Sequence, residues 1–182
     1  MTRFLKWLII SLVALSVLLF GAYKYMQSQT KKHSPEETVS HAMAGGEVEV
    51  FYNRPFKKDR EVFGNLVPYG VVWRTGANEA TTFSTNVDLT VEGEILAAGK
   101  YTFWTIPGET EWVFIWNAKM YPWGVNWEAE AAREAEHDVL EVTVPVENLD
   151  EAVEQFTIRI SSADELILEW DRTRVRAQLG SK

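Results

Sequence analysis

YTFWTIPGETEWVFIWN, residues 101–117, is the stretch whose reading decides the fold. Two apolar runs, Tyr101–Ile106 and Trp112–Trp116, flank Pro107-Gly108, a dipeptide that interrupts regular structure and supplies a turn. Both runs are short, rich in aromatic and β-branched residues, and apolar at odd and even positions alike. A strand of that kind needs a packing partner on each of its two faces. The pair therefore reads as two central strands of a β structure.

Outward from this pair the pattern changes to strict alternation, the mark of strands with one buried face. Val48 and Val50 alternate with Glu47 and Glu49, and Val87, Leu89 and Val91 alternate with Asp88, Thr90 and Glu92. Leu140, Val142, Val144 and Val146 form a third set, Phe156, Ile158 and Ile160 a fourth, and Leu166, Leu168 and Trp170 a fifth that runs on toward Arg176. Turn-forming pairs fall between them, as at Glu92-Gly93 and Ala98-Gly99. Many short strands at this spacing predict an all-β fold over residues 47–177, an antiparallel β-sandwich with a barrel as the alternative. Residues 178–182 read as a tail. Only Glu128–Glu136 (EAEAAREAE) has a helical composition.

The N-terminal part is of another kind. Trp7 to Tyr23 is uncharged and apolar for 17 residues, at the short end of the roughly 17–25 that cross a bilayer. Trp7, Tyr23 and Tyr25 stand at the ends of this run, where amphipathic rings favour the interface. Residues 1–26 are thus expected to be a signal anchor that ties the protein to a membrane. A cleaved signal peptide is the rival reading, but Phe20-Gly21-Ala22 and Met26-Gln27-Ser28 both place a bulky residue at position −3 of a cut. Arg3 and Lys6 nearly balance Lys24, Lys31 and Lys32. The short basic start directly before the apolar run favours an exported, extracytoplasmic domain. Residues 27–46, polar and ending in Gly-Gly, read as a flexible linker.

Charge narrows the partners. Of the 18 Lys and Arg, five lie in residues 1–46 with two acidic residues, leaving 13 against 24 for residues 47–182. So acidic a domain repels phosphate backbones, and no nucleic acid partner is expected. The chain has no cysteine, which removes disulfides, thiolate nucleophiles and thiolate metal sites. Its three histidines are His33 and His41 in the expected linker and His137 in the domain. No metal site and no cofactor is expected from them, and a Ser-His-Asp arrangement has only His137 to use.

VVWRTGANEATTF, residues 71–83, holds the main candidates. Gly76 and Asn78 are residue types that tolerate positive φ, so a looped connection between strands explains them. Arg74 and Glu79 have two readings: they pair with each other, or with Asn78 they face a ligand. Arg54 sits in Asn53-Arg54-Pro55 at a sheet end, either as a solvated loop arginine or as a further contact. Six of the eight tryptophans fall between Trp73 and Trp127. Trp104, Trp116 and Trp123 are candidate stacking surfaces for a sugar or aromatic ligand, against a simpler role in sealing the core. Together these residues point to binding of a small polar ligand or glycan. Glu79 is the first candidate if the protein is instead a carboxylate-dependent hydrolase, and a structural or assembly module of the cell envelope is the third possibility.

Several of these motifs belong to a longer pattern. Arg54-Pro55, Phe63-Gly64, Val67-Pro68-Tyr69-Gly70, Trp73 to Thr81, Leu96 to Tyr101, Pro107-Gly108 and Trp112 follow one another in order. The series resembles the bacterial family catalogued as domain of unknown function 2911 over roughly Val48 to Trp170, with Trp-Arg-Thr-Gly-Ala-Asn-Glu-Ala-Thr as its most specific part. Ala97 stands where the family pattern has proline. The resemblance implies a secreted or membrane-anchored protein and brings no activity with it.

Overall fold

The computed structural model describes residues 2–181, which leaves Met1 of the expected anchor and Lys182 of the expected tail outside the described residues. The chain forms two compact units, Met1–His33 and Ser34–Lys182. The first is a single helix, α1 (Arg3–His33), whose apolar side chains are exposed around its whole circumference. It is long and apolar enough to cross a membrane. It also runs beyond the expected end at residue 26, and Lys31, Lys32 and His33 occupy its last turn, where cations complement the helix dipole.

The second unit is almost wholly antiparallel β-structure. Its strands are β1 (Glu36–Met43), β2 (Gly46–Asn53), β3 (Thr82–Thr85), β4 (Leu89–Val91), β5 (Glu94–Leu96), β6 (Gly99–Ile106), β7 (Glu111–Asn117), β8 (Asp138–Ile160) and β9 (Glu165–Ser181). They form one nine-stranded sheet in the order β1-β2-β3-β6-β7-β8-β9-β4-β5. The sheet is open, ending at β1 and β5, so the barrel alternative is not the architecture found.

Three expectations need correction. Residues 27–46 are not a linker, because β1 pairs with β2 from Glu36↔Asn53 to Met43↔Gly46. The Gly-Gly there is a hairpin turn: Ala44 and Gly45 connect the strands, with Gly45 at φ 87. Residues 178–181 are not a tail either, since Leu179, Gly180 and Ser181 pair with Val91, Thr90 and Leu89. Glu128–Glu136 is not helical. Ala131 and Ala132 pack against the cluster of Ala80, Trp104 and Ile115, Ala129 adopts φ 65, and only a 3-10 turn, Ala135–His137, remains. Tertiary contacts override helical propensity there.

The central hairpin is β6–β7, and its two apolar faces are both covered. Tyr101, Phe103, Trp112, Phe114 and Trp116 enter the main core together with Val48, Val50, Phe83, Val142, Ile158, Leu168 and Val175. Trp104 and Ile115 face the other way, into a smaller cluster closed by Val72, Tyr121, Ala131 and Ala132. Within the main core Phe63 touches Trp112 at 4.8 Å between ring centroids and Trp170 at 6.0 Å, and Trp73 stacks on Trp170 at 6.0 Å. Tyr52 ties β2 to β8: its hydroxyl accepts the Ile158 N–H at 2.9 Å and lies 3.1 Å from a Glu37 carboxylate oxygen.

The long strands β8 and β9 carry a charge network. Glu169, nearly buried, lies 3.2 Å from Arg159 and is also paired with Arg174. Burial alone would raise its pKa, but the two guanidinium groups outweigh that and hold the carboxyl below its ordinary value. A carboxyl with a depressed pKa stabilises the fold above its unfolded-state pKa, and the contribution disappears as pH falls through the folded-state value. Glu169→Gln should therefore cost about 1–3 kcal/mol at neutral pH. Thermal unfolding of parent and variant side by side should show that difference shrinking as pH drops below the usual carboxylate range.

Candidate functional site

Residues 71–85 run along one edge of β6 and leave it midway. Trp73 donates its N–H to Thr105 O at 2.7 Å and accepts the Thr105 N–H at 3.0 Å, and β3 resumes the pairing at Thr82↔Thr102. Between these points the chain makes a closed excursion, with Thr81 N–H reaching back to the Arg74 carbonyl at 3.4 Å. The tight reversal puts Thr75 at φ 55, Gly76 at φ 150 and Asn78 at φ 58. Gly76 is required on two counts, since a Cβ there would also lie 2.7 Å from the Asn53 carbonyl oxygen. Thr75 is β-branched, and positive φ in such a residue costs about 1–3 kcal/mol.

Hydrogen bonds hold the excursion in place. The Thr75 hydroxyl bonds to that of Thr105 at 3.2 Å, Thr81 Oγ1 donates to the Thr75 carbonyl at 2.7 Å, and the Trp73 indole donates to the Gly76 carbonyl at 3.1 Å. Asn53, wholly buried at the end of β2, joins two of the candidates. Its Nδ2 donates to Glu79 Oε2 at 3.1 Å and its Oδ1 accepts from Asn78 Nδ2 at 3.4 Å. Asn53 directly precedes the candidate Arg54. Nothing in the sequence marks it apart from its place at a strand end.

Arg74 lies under a second segment. Gly124 donates its N–H to the Asn78 carbonyl at 2.9 Å, and its carbonyl accepts from Ala132 at 3.2 Å. A Cβ on Gly124 would stand 2.8 Å from Arg74 Cβ and nearer still to Cδ, so the loop backbone rests directly on the arginine stem. Trp123, next to Gly124, is half-buried. Arg74 Nε is buried without a hydrogen-bond partner. Among the described residues Arg74 makes no ion pair, and the pairing with Glu79 offered by the sequence is not made. Burial pushes the guanidinium pKa down, with no carboxylate to offset it.

The structure thus brings Arg74, Asn78, Glu79 and Trp123 into one neighbourhood through Asn53 and Gly124. The other candidates lie elsewhere in the fold. Arg54 is occupied by the sheet: its Nη1 is 2.6 Å from Glu37 Oε2, and it donates to the Phe156 carbonyl and to Thr157 Oγ1. Trp104 and Trp116 are completely buried, so neither offers a stacking face to solvent. They point to opposite faces of the central hairpin, Trp104 onto Tyr121 at 5.5 Å and Trp116 onto Phe83 at 5.7 Å. The fully exposed tryptophan is Trp127, in a turn where Asn126 Oδ1 accepts the N–H groups of Glu128 and Glu130 at 3.0 Å each.

Two other places have ligand-like chemistry. Glu134, Glu136 and His137 bring one donor atom each within 4.8 Å of one another. The Glu134 carboxylate is already bound by Lys119 at 2.5 Å, and His137 lies 3.5 Å from it. A groove of about 340 Å³ on the outer face of β2, β3 and β6 is lined by Glu47, Glu49, Ser84 and Lys100 among others.

The specific part of the sequence pattern, Trp73 to Thr81, is therefore the excursion itself, and the matching family model spans residues 34–179. The chain belongs to the DUF2911 family, described as proteins of unknown function. Against curated proteins and solved structures it shows no match. The DUF2911 match begins at Ser34, where the strand unit begins, and so includes β1.

The contact between Gly124 and Arg74 gives a direct check on this geometry. Gly124→Ala should lower stability by about 1–3 kcal/mol through overpacking, and Gly76→Ala by more, because it meets backbone at a positive φ. Chemical denaturation of the two variants measures both. A neutral Gly124→Ala would mean the loop does not rest on Arg74.

Proposed function

We propose that this DUF2911 protein is a membrane-tethered, extracytoplasmic β-sandwich that binds a small polar ligand or glycan at the surface formed by Arg74, Glu79 and Trp123, with Asn78 buried behind them as support. The sandwich reading is supported by the main core, which gathers side chains from both halves of the sheet, as in the Trp112–Phe63–Trp170 contact. The exposed apolar helix and the basic residues before it support the tether and its direction.

One observation carries the binding reading: an arginine whose Nε is buried and unpartnered, beside a half-buried tryptophan. Donors left without acceptors are costly in a finished fold; the indole N–H groups of Trp112 and Trp116 share that state inside the core, but Arg74 is the one that carries a charge and lies at the edge of the fold's loops. Thr75 adds to this, since strained backbone recurs at ligand clamps. Trp104 and Trp116 drop out of the proposed surface, and Arg54 stays a structural clamp.

Intrinsic tryptophan fluorescence and thermal shift, with glycans and small polar metabolites as probes, test this reading. At least one class should raise the unfolding midpoint and change the fluorescence, and Arg74→Ala and Trp123→Ala should each weaken that response about tenfold or more. A panel with no response, or a response that both variants keep in full, contradicts it.

A further inference from the structure

Every other arginine of the strand unit has an oxygen partner. Arg54, Arg133, Arg159, Arg174 and Arg176 are paired with carboxylates, while Arg60 and Arg172 donate to backbone carbonyls. Arg74 has neither among the described residues. It is nonetheless packed under the Gly124 backbone, with Nε out of reach of water. Arg74 is half-buried, and a partly desolvated cation without a counter-charge costs the fold some of its stability. Positions 47–182 contain 24 acidic residues, yet among the described residues none forms an ion pair with this guanidinium.

We infer that the counter-charge is supplied by the ligand, and that the Arg74 site takes a small molecule through a carboxylate group. The inference rests on the binding reading above and specifies its chemistry. A guanidinium presents two parallel N–H donors that match the two oxygens of a carboxylate, and with Nε enclosed it is the terminal Nη groups that would meet them. Charge selects carboxylate over phosphate. One guanidinium neutralises one negative charge, the other arginines are already engaged, and the chain has a net charge of −8. A dianionic phosphate would bring a second, uncompensated charge into an acidic protein. Glu79 is held in place through Asn53, with buried Asn78 bracing the same amide, and Trp123 stands beside Gly124, so polar and aromatic groups lie near the Arg74 anchor.

The test uses the full chain in detergent and follows its unfolding midpoint at fixed ionic strength. Acetate, inorganic phosphate, a neutral monosaccharide and chloride are the probes. Acetate should raise the midpoint relative to chloride, and more than phosphate does, by linkage of binding to folding. Arg74→Met should abolish the acetate response. It should leave the midpoint of the ligand-free protein the same or slightly higher, because a partly desolvated, uncompensated charge has gone and the packed stem is retained. Arg74→Lys, which keeps the charge without the fork, should weaken the response at least tenfold and guards against a Met variant that fails to fold. The inference is overturned if acetate behaves as chloride does, if phosphate matches or exceeds it, or if Arg74→Met responds like the parent. An Arg74-dependent shift with the neutral sugar alone would remove the carboxylate and leave the binding reading standing. No shift with acetate, phosphate or sugar would remove the carboxylate while leaving larger glycans and metabolites to the panel above.

Discussion

The central hairpin β6–β7 is apolar on both faces, and a strand pair of that kind has to be covered twice. Burying one Phe or Ile contributes about 1.5–3 kcal/mol, so leaving Trp104 and Ile115 uncovered would cost a large part of a domain's net stability. The main core covers one face. The other is closed by short, irregular chain: Val72 and Ala80 at the ends of the excursion, and Tyr121, Ala131 and Ala132 from the segment that follows β7. Two loops are thereby pressed together over one patch of sheet.

The polar cluster follows from that closure. Trp73 is directed into the main core, and strand alternation turns its neighbour Arg74 to the opposite face, under Gly124. The excursion that carries Thr75, Gly76 and Asn78 is fixed from below by Asn53 and Thr105. The Thr75, Asn78 and Thr81 side chains each find a hydrogen-bond partner, whereas Arg74 Nε is enclosed with none. A fold that supplies oxygen partners for seven other arginines leaves this one half-buried and without one where two loops meet.

Much of this was legible in the sequence, and the rest was not for identifiable reasons. Period-two alternation marked β2, β4, β8 and β9, and the doubly apolar runs marked β6 and β7 as central. β1 escaped because its inward positions are Glu37, Val39, His41 and Met43. Only two of these are apolar, and His41 is held by Asp164 at 2.6 Å instead of by packing. Glu128–Glu136 misled because its alanines serve as a lid on Trp104 and not as helix formers. In the site, Gly76 and Asn78 were readable as turn residues, since φ preference is local chemistry. The roles of Asn53 and Gly124 were not, because each depends on a residue more than 20 positions away. Trp104 and Trp116 looked alike in sequence to an exposed stacking residue, and burial alone separated them.

The central claim is that closing the second face of the hairpin packs Arg74 beneath Gly124, half-buried and without an ion-pair partner among the described residues, and leaves its guanidinium ready for a carboxylate. Nuclear magnetic resonance of the Arg74 Nε–H group observes this directly. The account predicts a signal protected from solvent exchange, with the shift of a donor not engaged in a hydrogen bond, that moves when acetate is added and stays fixed with chloride. A rapidly exchanging signal, or one already at the position of a hydrogen-bonded guanidinium and indifferent to acetate, would contradict it.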